Sequence, residues 1–200
     1  MVTLHFELEI RPASDFSQLA GFCCGLEEMD NFIHSRLATC DQIHFVNTYF
    51  VFHEEEVIAL FSLSTGSVIL DSDDFEDIQM GARNRMHSLE FTTDEDFLEN
   101  YFYVHRTYPT IELQYLAVRE DYRSKQDSSS EKLHVGKVII DAIVAKAKSL
   151  DLGAMFISVD AYDTDEYSAV PFYEKCGFGV VDVVRKNDIR RMIKTIWEQE

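Results

Sequence analysis

The chain has 200 residues, and its 18 Lys and Arg stand against 36 Asp and Glu, which gives a formal net charge of −18. Phosphate contacts need clustered basic side chains, so this composition argues against a nucleic-acid-binding protein. The apolar content of 46% is enough to fill a sizeable core. No apolar run approaches the ~20 residues of a membrane span, and the first residues lack the pattern of a signal peptide.

The cysteines and histidines predict neither a disulfide framework nor a metal site. Four cysteines, with no CxxC pair among them, are typical of reduced thiols in a cytoplasmic protein: Cys23, Cys24, Cys40 and Cys176. The seven histidines are scattered, with no HExxH motif and no zinc-ligand spacing.

The first half of the chain switches between strand and helix patterns. Residues 4–11 alternate apolar and polar side chains, which predicts a half-buried strand. Residues 47–52 and 57–67 are predicted as two further strands, joined through an acidic turn. From Glu27, apolar residues recur at spacings of three and four and predict a helix: Met29, Phe32, Ile33 and Leu37.

Residues 71–100 break this pattern. They hold ten Asp and Glu and two Arg, a local net charge of −8. A run of like charges is usually a solvated surface, so the simpler interpretation is a helical insertion or lid. The alternative is an acidic wall that recruits a cationic substrate or partner.

The second half predicts a crossover unit. Residues 110–118 form a predicted strand whose last half is apolar on both faces, which places it centrally in a sheet. Residues 135–150 follow as a helix. The remaining predicted elements are a strand at 155–160, a helix at 168–176 and strands at 178–184 and 189–197. A strand, helix and strand in this order favours parallel pairing, so the predicted fold class is α/β with a mixed sheet.

Three segments resemble the GNAT superfamily of acetyl-CoA-dependent N-acetyltransferases: LQYLAVREDYR, HVGKVIIDAIVAKAK and AVPFYEKCGF. They match the family's central strand, its pyrophosphate loop with helix, and its Tyr-bearing turn. Gly136 matches the last Gly of the loop motif, whereas His134 stands at an earlier Gly position and Glu131 at a Gln or Arg position. The stretch FCCGLEEMDNFI is similar to a GNAT subgroup that includes toxins acetylating aminoacyl-tRNA.

The resemblance implies a GNAT-like mixed central β-sheet flanked by helices. It implies a single N-acetyltransferase domain over residues 1–200 with an acidic insertion at about 71–107. Acetyl-CoA is the implied co-substrate. Its pantetheine and thioester would contact backbone N–H groups of Leu116, Ala117 and Val118. A helix N-terminus is a ready anion site for the pyrophosphate, and the residues predicted around it are Lys132, His134, Val135, Gly136 and Lys137.

Acetyl transfer to an amine needs one group that takes the amine proton and another that protonates the leaving thiolate. Tyr173 is the predicted acid, because a phenol with a reference pKa near 10 can protonate a thiolate whose reference pKa is about 8.5. Glu112 is the only carboxylate on its strand and is the predicted base; a solvated strand-end Glu is the alternative. Cys176 is predicted as a buried thiol.

These patterns leave several hypotheses about function. The leading one is direct acetyl transfer to a primary amine on a small cationic molecule or a protein. The alternatives are a toxin-like enzyme acting on aminoacyl-tRNA and a non-catalytic acyl-CoA-binding module. We expect a cationic amine as the partner, no nucleic acid and no membrane, while the apolar terminal strands leave room for a homodimer.

Overall fold

A computed structural model describes residues 7–70, 80, 83, 107–123, 134–150, 153–181 and 188–196. The strands are β1 (Glu9–Pro12), β2 (Asn47–His53), β3 (Glu56–Ile69), β4 (Thr107–Val118), β5 (Phe156–Tyr162), β6 (Gly179–Val180) and β7 (Ile189–Thr195). The helices are α1 (Glu27–Ser35), α2 (Leu37–Gln42), α3 (Val135–Ser149) and α4 (Val170–Lys175). Hydrogen-bonded neighbours follow the order β1-β2-β3-β4-β5-β7-β6 in one mixed sheet. The predicted α/β class and the central place of β4 are confirmed.

The chain divides into two compact units, Met1–Ser64 with Leu113–Ile143, and Thr65–Glu112 with Val144–Glu200. Strands β3 and β4 are long and contribute to both units. The single domain over residues 1–200 stays a prediction. The predicted acidic insertion at 71–107 lies outside the described residues, apart from residues 80, 83 and 107.

The first unit is built on antiparallel pairs. Strand β1 pairs with β2, and β2 pairs with β3 through a turn at Glu54 and Glu55, where φ is positive at both residues. One core cluster buries apolar side chains from β2 and β3, from α1 and α2, and from the segment before α1: Leu19, Phe22, Ile33, Leu37, Phe50 and Leu60. The single helix predicted from Glu27 is wrong in one respect, because Arg36, with φ of −132°, separates α1 from α2.

The second unit has its own core. Strand β5 pairs antiparallel with β7, and β6 adds a two-residue pair at the edge. The buried cluster there consists of Val68, Leu70, Tyr108, Phe156, Val181 and Ile193.

The strand predicted over 4–11 is observed as Glu9–Pro12; residues 7 and 8 precede it, and residues 4–6 lie outside the described residues. Of the strand predicted over 178–184, Gly179–Val180 is observed, and residues 182–184 lie outside the described residues. The other elements appear within a few residues of their predicted bounds. No helix in the described part of the chain is long and apolar enough to cross a membrane.

Candidate active site

The end of β4 carries the three residues predicted to contact pantetheine. Ala117 is buried, while Leu116 and Val118 are half-buried. Directly after them, the Arg119 N–H donates to the Ile58 carbonyl at 2.8 Å, so β3 still holds the chain where β4 ends. The strand end is therefore fixed by backbone hydrogen bonding.

The FCCG segment supports the turn that follows β4. The Asp30 carboxylate accepts hydrogen bonds from the N–H groups of Cys24 at 2.7 Å and Gly25 at 3.2 Å. The carbonyl of Cys23 accepts from the Glu120 N–H at 3.0 Å, and that of Cys24 accepts from the Arg123 guanidinium at 2.7 Å. Burial raises the pKa of the Cys24 thiol to about 11, which keeps it protonated near neutral pH. This segment acts as structural support within the first unit.

The anion site is predicted at the N-terminus of helix α3, which begins at Val135. His134 precedes the helix and is exposed, whereas Val135 is buried and anchors the first turn. Gly136 adds no side chain in this turn, so backbone N–H groups stay approachable. Lys137 lies 3.6 Å from Asp141 and is partly exposed. Lys132 lies outside the described residues.

Tyr173 is buried, with 6% of its surface exposed, and its ring lies edge-on to Phe178 at 5.4 Å between centroids. The Phe178 N–H donates to the Tyr173 carbonyl at 3.0 Å, and the Gly177 N–H donates to the Glu174 carbonyl at 2.9 Å. These two bonds and the ring contact form a Schellman motif at the end of α4, with Gly177 at a φ of +82°. Burial raises the pKa of Tyr173 well above its usual value.

Glu112 lies on β4 in the second unit and is paired with Arg191 of β7. Arg191 also contacts Asp160 at 3.0 Å. The Glu112 carboxylate lies over Gly66 of β3, where an added Cβ would come within 2.7 Å of Oε2. The side chain of the predicted base is therefore fixed by its ion pair with Arg191 and is only 19% exposed.

No family model and no curated protein matches the sequence. Solved structures do match. A bacterial toxin aligns with a TM-score of 0.61 at 13% identity, over 96% of this chain and 92% of that one. The toxin AtaT, in AtaTR bound with acetyl-CoA, aligns with a TM-score of 0.59 at 14% identity, over 94% of each chain. AtaT complexed with acetyl-methionyl-tRNAfMet aligns with a TM-score of 0.59 at 13% identity, over 94% of this chain and 95% of that one.

The chain has the GNAT fold. This confirms the fold that the three sequence segments predicted. A further match, to a tyrosine-to-phenylalanine mutant of the toxin KacT, has a TM-score of 0.58 at 13% identity over 94% of this chain and 95% of that one. KacTA has also been solved in a complex with DNA.

Within the GNAT fold, the predicted site residues fall into two groups. Leu116, Ala117 and Val118 belong to the first unit, as do residues 134–137. Tyr173 and Glu112 belong to the second unit. Their roles toward a ligand stay predictions.

Sequence reasoning missed two residues beside Glu112. Arg191 is one of two adjacent arginines in IRRMIK, and strand alternation alone does not tell which of the two reaches a carboxylate. Gly66 stands inside a strand, where a glycine often marks a close approach of another group. Gly66 was therefore a feature of the sequence that could have indicated a close contact with another strand.

We expect Gly177→Ala to lower the free energy of unfolding by about 1–2 kcal/mol, because alanine is strained at a positive φ. Urea denaturation measures this change. Gly153→Ala is the matched control, since no atom lies within 4 Å of its added Cβ and its φ is not in the left-handed region. Equal stability of the two variants would contradict the assignment of the Schellman glycine.

Proposed function

We propose that this protein is an acetyl-CoA-dependent N-acetyltransferase that acts on a primary amine by direct transfer. The observation that carries the proposal is Tyr173, a buried phenol fixed by a Schellman motif in a chain whose fold matches AtaT, which has been solved with acetyl-CoA. Burial holds the phenol in its neutral form, and a neutral phenol can donate its proton to a leaving thiolate.

The residues present fit a co-substrate that carries phosphates. Helix α3 is 15 residues long, so its N-terminus bears a developed positive dipole, and Gly136 and Lys137 lie in its first turn. The backbone at Leu116 to Val118 is assigned to the pantetheine arm. Acetyl-CoA supplies the activated acyl group when bound.

The remaining steps belong to side chains of this chain. Glu112 takes the proton from the acceptor ammonium group, which frees the nitrogen lone pair. The nitrogen forms a bond to the acyl carbon as the carbon–sulfur bond breaks. Tyr173 gives its proton to the sulfur, and the nitrogen, which still carries one proton more than an amide, loses that proton through solvent to the Tyr173 phenolate. The products are an amide and a thiol, and Glu112 releases its proton to solvent.

Calorimetric titration of the full chain with acetyl-CoA tests this assignment. We expect saturable binding that the Lys137→Gln variant weakens, because a positive charge near the phosphates is lost. Lys148→Gln, at the other end of the same helix, is the matched control and should bind like the unaltered chain. Absence of any binding heat and of any transfer would reject the enzyme and leave a binding module for other ligands.

An aminoacyl-tRNA acceptor is the second candidate function. The observation that favours it is the match to AtaT complexed with acetyl-methionyl-tRNAfMet over 94% of this chain. A cationic amine is favoured instead by the net charge of −18. Three acceptors compared in one assay separate the candidates: spermidine, a Lys-rich peptide and charged tRNA. Acetylation of charged tRNA alone, with a mobility shift at low salt, would select the second candidate.

A further inference from the structure

Arg191 contacts four groups near the predicted base. Its guanidinium donates to Oε1 of Glu112 and, at 3.0 Å, to Asp160. It also donates to the Ser158 hydroxyl at 3.2 Å and to the Ser67 carbonyl at 3.4 Å. These acceptors lie on three strands, β3, β4 and β5. A guanidinium with its fixed fork of donors, held by four groups, has little freedom to turn.

The groups that contact Arg191 make further hydrogen bonds of their own. The Ser158 hydroxyl donates to Thr110 Oγ1 at 2.9 Å. Ser158 is fully buried and Thr110 is nearly so. A buried, satisfied polar network holds its members in one arrangement more firmly than isolated surface pairs do. The Arg191 side chain is only 21% exposed, so water screens its contact with Glu112 weakly.

Gly66 provides the space that the carboxylate occupies. A Cβ at this position would stand 2.7 Å from Glu112 Oε2 and 2.8 Å from Thr110 Oγ1. Any other residue would displace the carboxylate or the hydroxyl. A glycine in the middle of a strand costs stability, so its presence there is explained by the group that lies against it.

We propose that Arg191 is a positioning residue that fixes the Glu112 carboxylate through Oε1, while Gly66 leaves Oε2 placed to accept the amine proton. The inference rests on the proposed function and assigns a role to each oxygen. The two oxygens do different work: Oε1 keeps its bond to Arg191, and Oε2 forms the new O–H bond as the acceptor's N–H bond breaks.

The test measures acetyl transfer by Arg191→Gln, Arg191→Lys and Gly66→Ala between about pH 6 and 10. We expect Arg191→Gln and Gly66→Ala to lower kcat at least about tenfold near neutral pH with KM for acetyl-CoA within about twofold. The loss should shrink as pH rises, because free amine then forms without a base. A lysine side chain has one ammonium nitrogen, whereas a guanidinium has several N–H donors in a fixed plane. Arg191→Lys should therefore restore only part of the kcat that Arg191→Gln loses.

Adjacent residues supply matched controls. Arg190 lies next to Arg191 on β7 but pairs with Asp163 at 3.1 Å, and Gly153 has open space around its Cβ position. Arg190→Gln and Gly153→Ala should keep the kcat of the unaltered chain. An equal loss in Arg190→Gln would overturn the inference, since general damage to β7 would then explain the result.

A double variant separates positioning from a structural role. If Arg191 acts through Glu112, adding Arg191→Gln to Glu112→Gln should lower kcat by less than about twofold further. Additive losses, or a pH profile parallel to that of the unaltered chain, would overturn the inference and leave the acetyltransferase intact. Failure of the unaltered chain to acetylate any amine would overturn the proposed function and this inference together.

Discussion

Tyr173→Phe is expected to lower acetyl transfer at least about tenfold, because the departing thiolate loses its proton donor. The substitution keeps the ring that packs against Phe178 at 5.4 Å, and the Schellman hydrogen bonds use only backbone atoms. Stability and binding of acetyl-CoA should therefore change little. Initial rates at saturating acetyl-CoA measure the effect.

The pH dependence of this effect follows from the shifted pKa. Burial raises the pKa of Tyr173 above its ordinary value of 10, so the phenol keeps its proton throughout the range below pH 10. Deprotonation of Tyr173 therefore cannot lower the rate between neutral pH and pH 10. Tyr49→Phe, which removes a hydroxyl from a ring stacked on Phe61, is the control and should leave the rate unchanged. Unchanged turnover in Tyr173→Phe would remove this residue from the acid role.

Glu112→Gln is expected to have the second large effect, a loss of at least about tenfold near neutral pH. Glutamine has nearly the same shape but does not accept a proton, so the acceptor must lose its proton to water. The loss should diminish as the pH approaches the reference pKa of the amine, roughly 10.4 for a lysine-like amine and 7.7–8.0 for an α-amino group. Rate profiles with each type of acceptor measure this difference.

The control for Glu112→Gln is another glutamate that pairs with an arginine. Glu9 pairs with Arg11 on β1, the strand at one edge of the sheet, and Glu9→Gln should leave the rate unchanged at every pH. A rate loss in Glu112→Gln that stays constant with pH would contradict the base assignment. It would fit a carboxylate that only balances the charge of Arg191.

The elements that sequence predicted well have strong local patterns. Strand β4 is apolar on both faces in its last half, and α3 repeats apolar side chains at helical spacing, so each element carries its own signal. The turn after Tyr173 was predicted from the resemblance of AVPFYEKCGF to the family's Tyr-bearing turn, and in the structure Gly177 adopts the positive φ that a Schellman motif needs. Such features can be predicted from a short stretch of sequence.

The contacts that sequence missed are non-local. Arg191 and Glu112 stand 79 residues apart, and only strand order brings them together. The break between α1 and α2 depends on the backbone at Arg36, which interrupts an apolar pattern that continues on both sides. Helical periodicity carries no signal for a single residue with a non-helical φ.

Sequence resemblance singled out the FCCG segment without indicating what its residues contact. In the structure, Asp30 accepts a hydrogen bond from the Gly25 N–H, and the Cys24 carbonyl accepts one from the Arg123 guanidinium. The acidic stretch at 71–100 lies almost wholly outside the described residues. Its attraction for a cationic acceptor therefore stays a prediction, open to the acceptor comparison above.

The most direct measurement of the central claim follows a labelled acetyl group from acetyl-CoA to an amine. The unaltered chain should release one CoA thiol for each N-acetylated product formed with at least one of the three acceptors. Tyr173→Phe should do so at least about ten times more slowly. Intact acetyl-CoA after incubation with every acceptor, or equal rates for the two chains, would contradict the account.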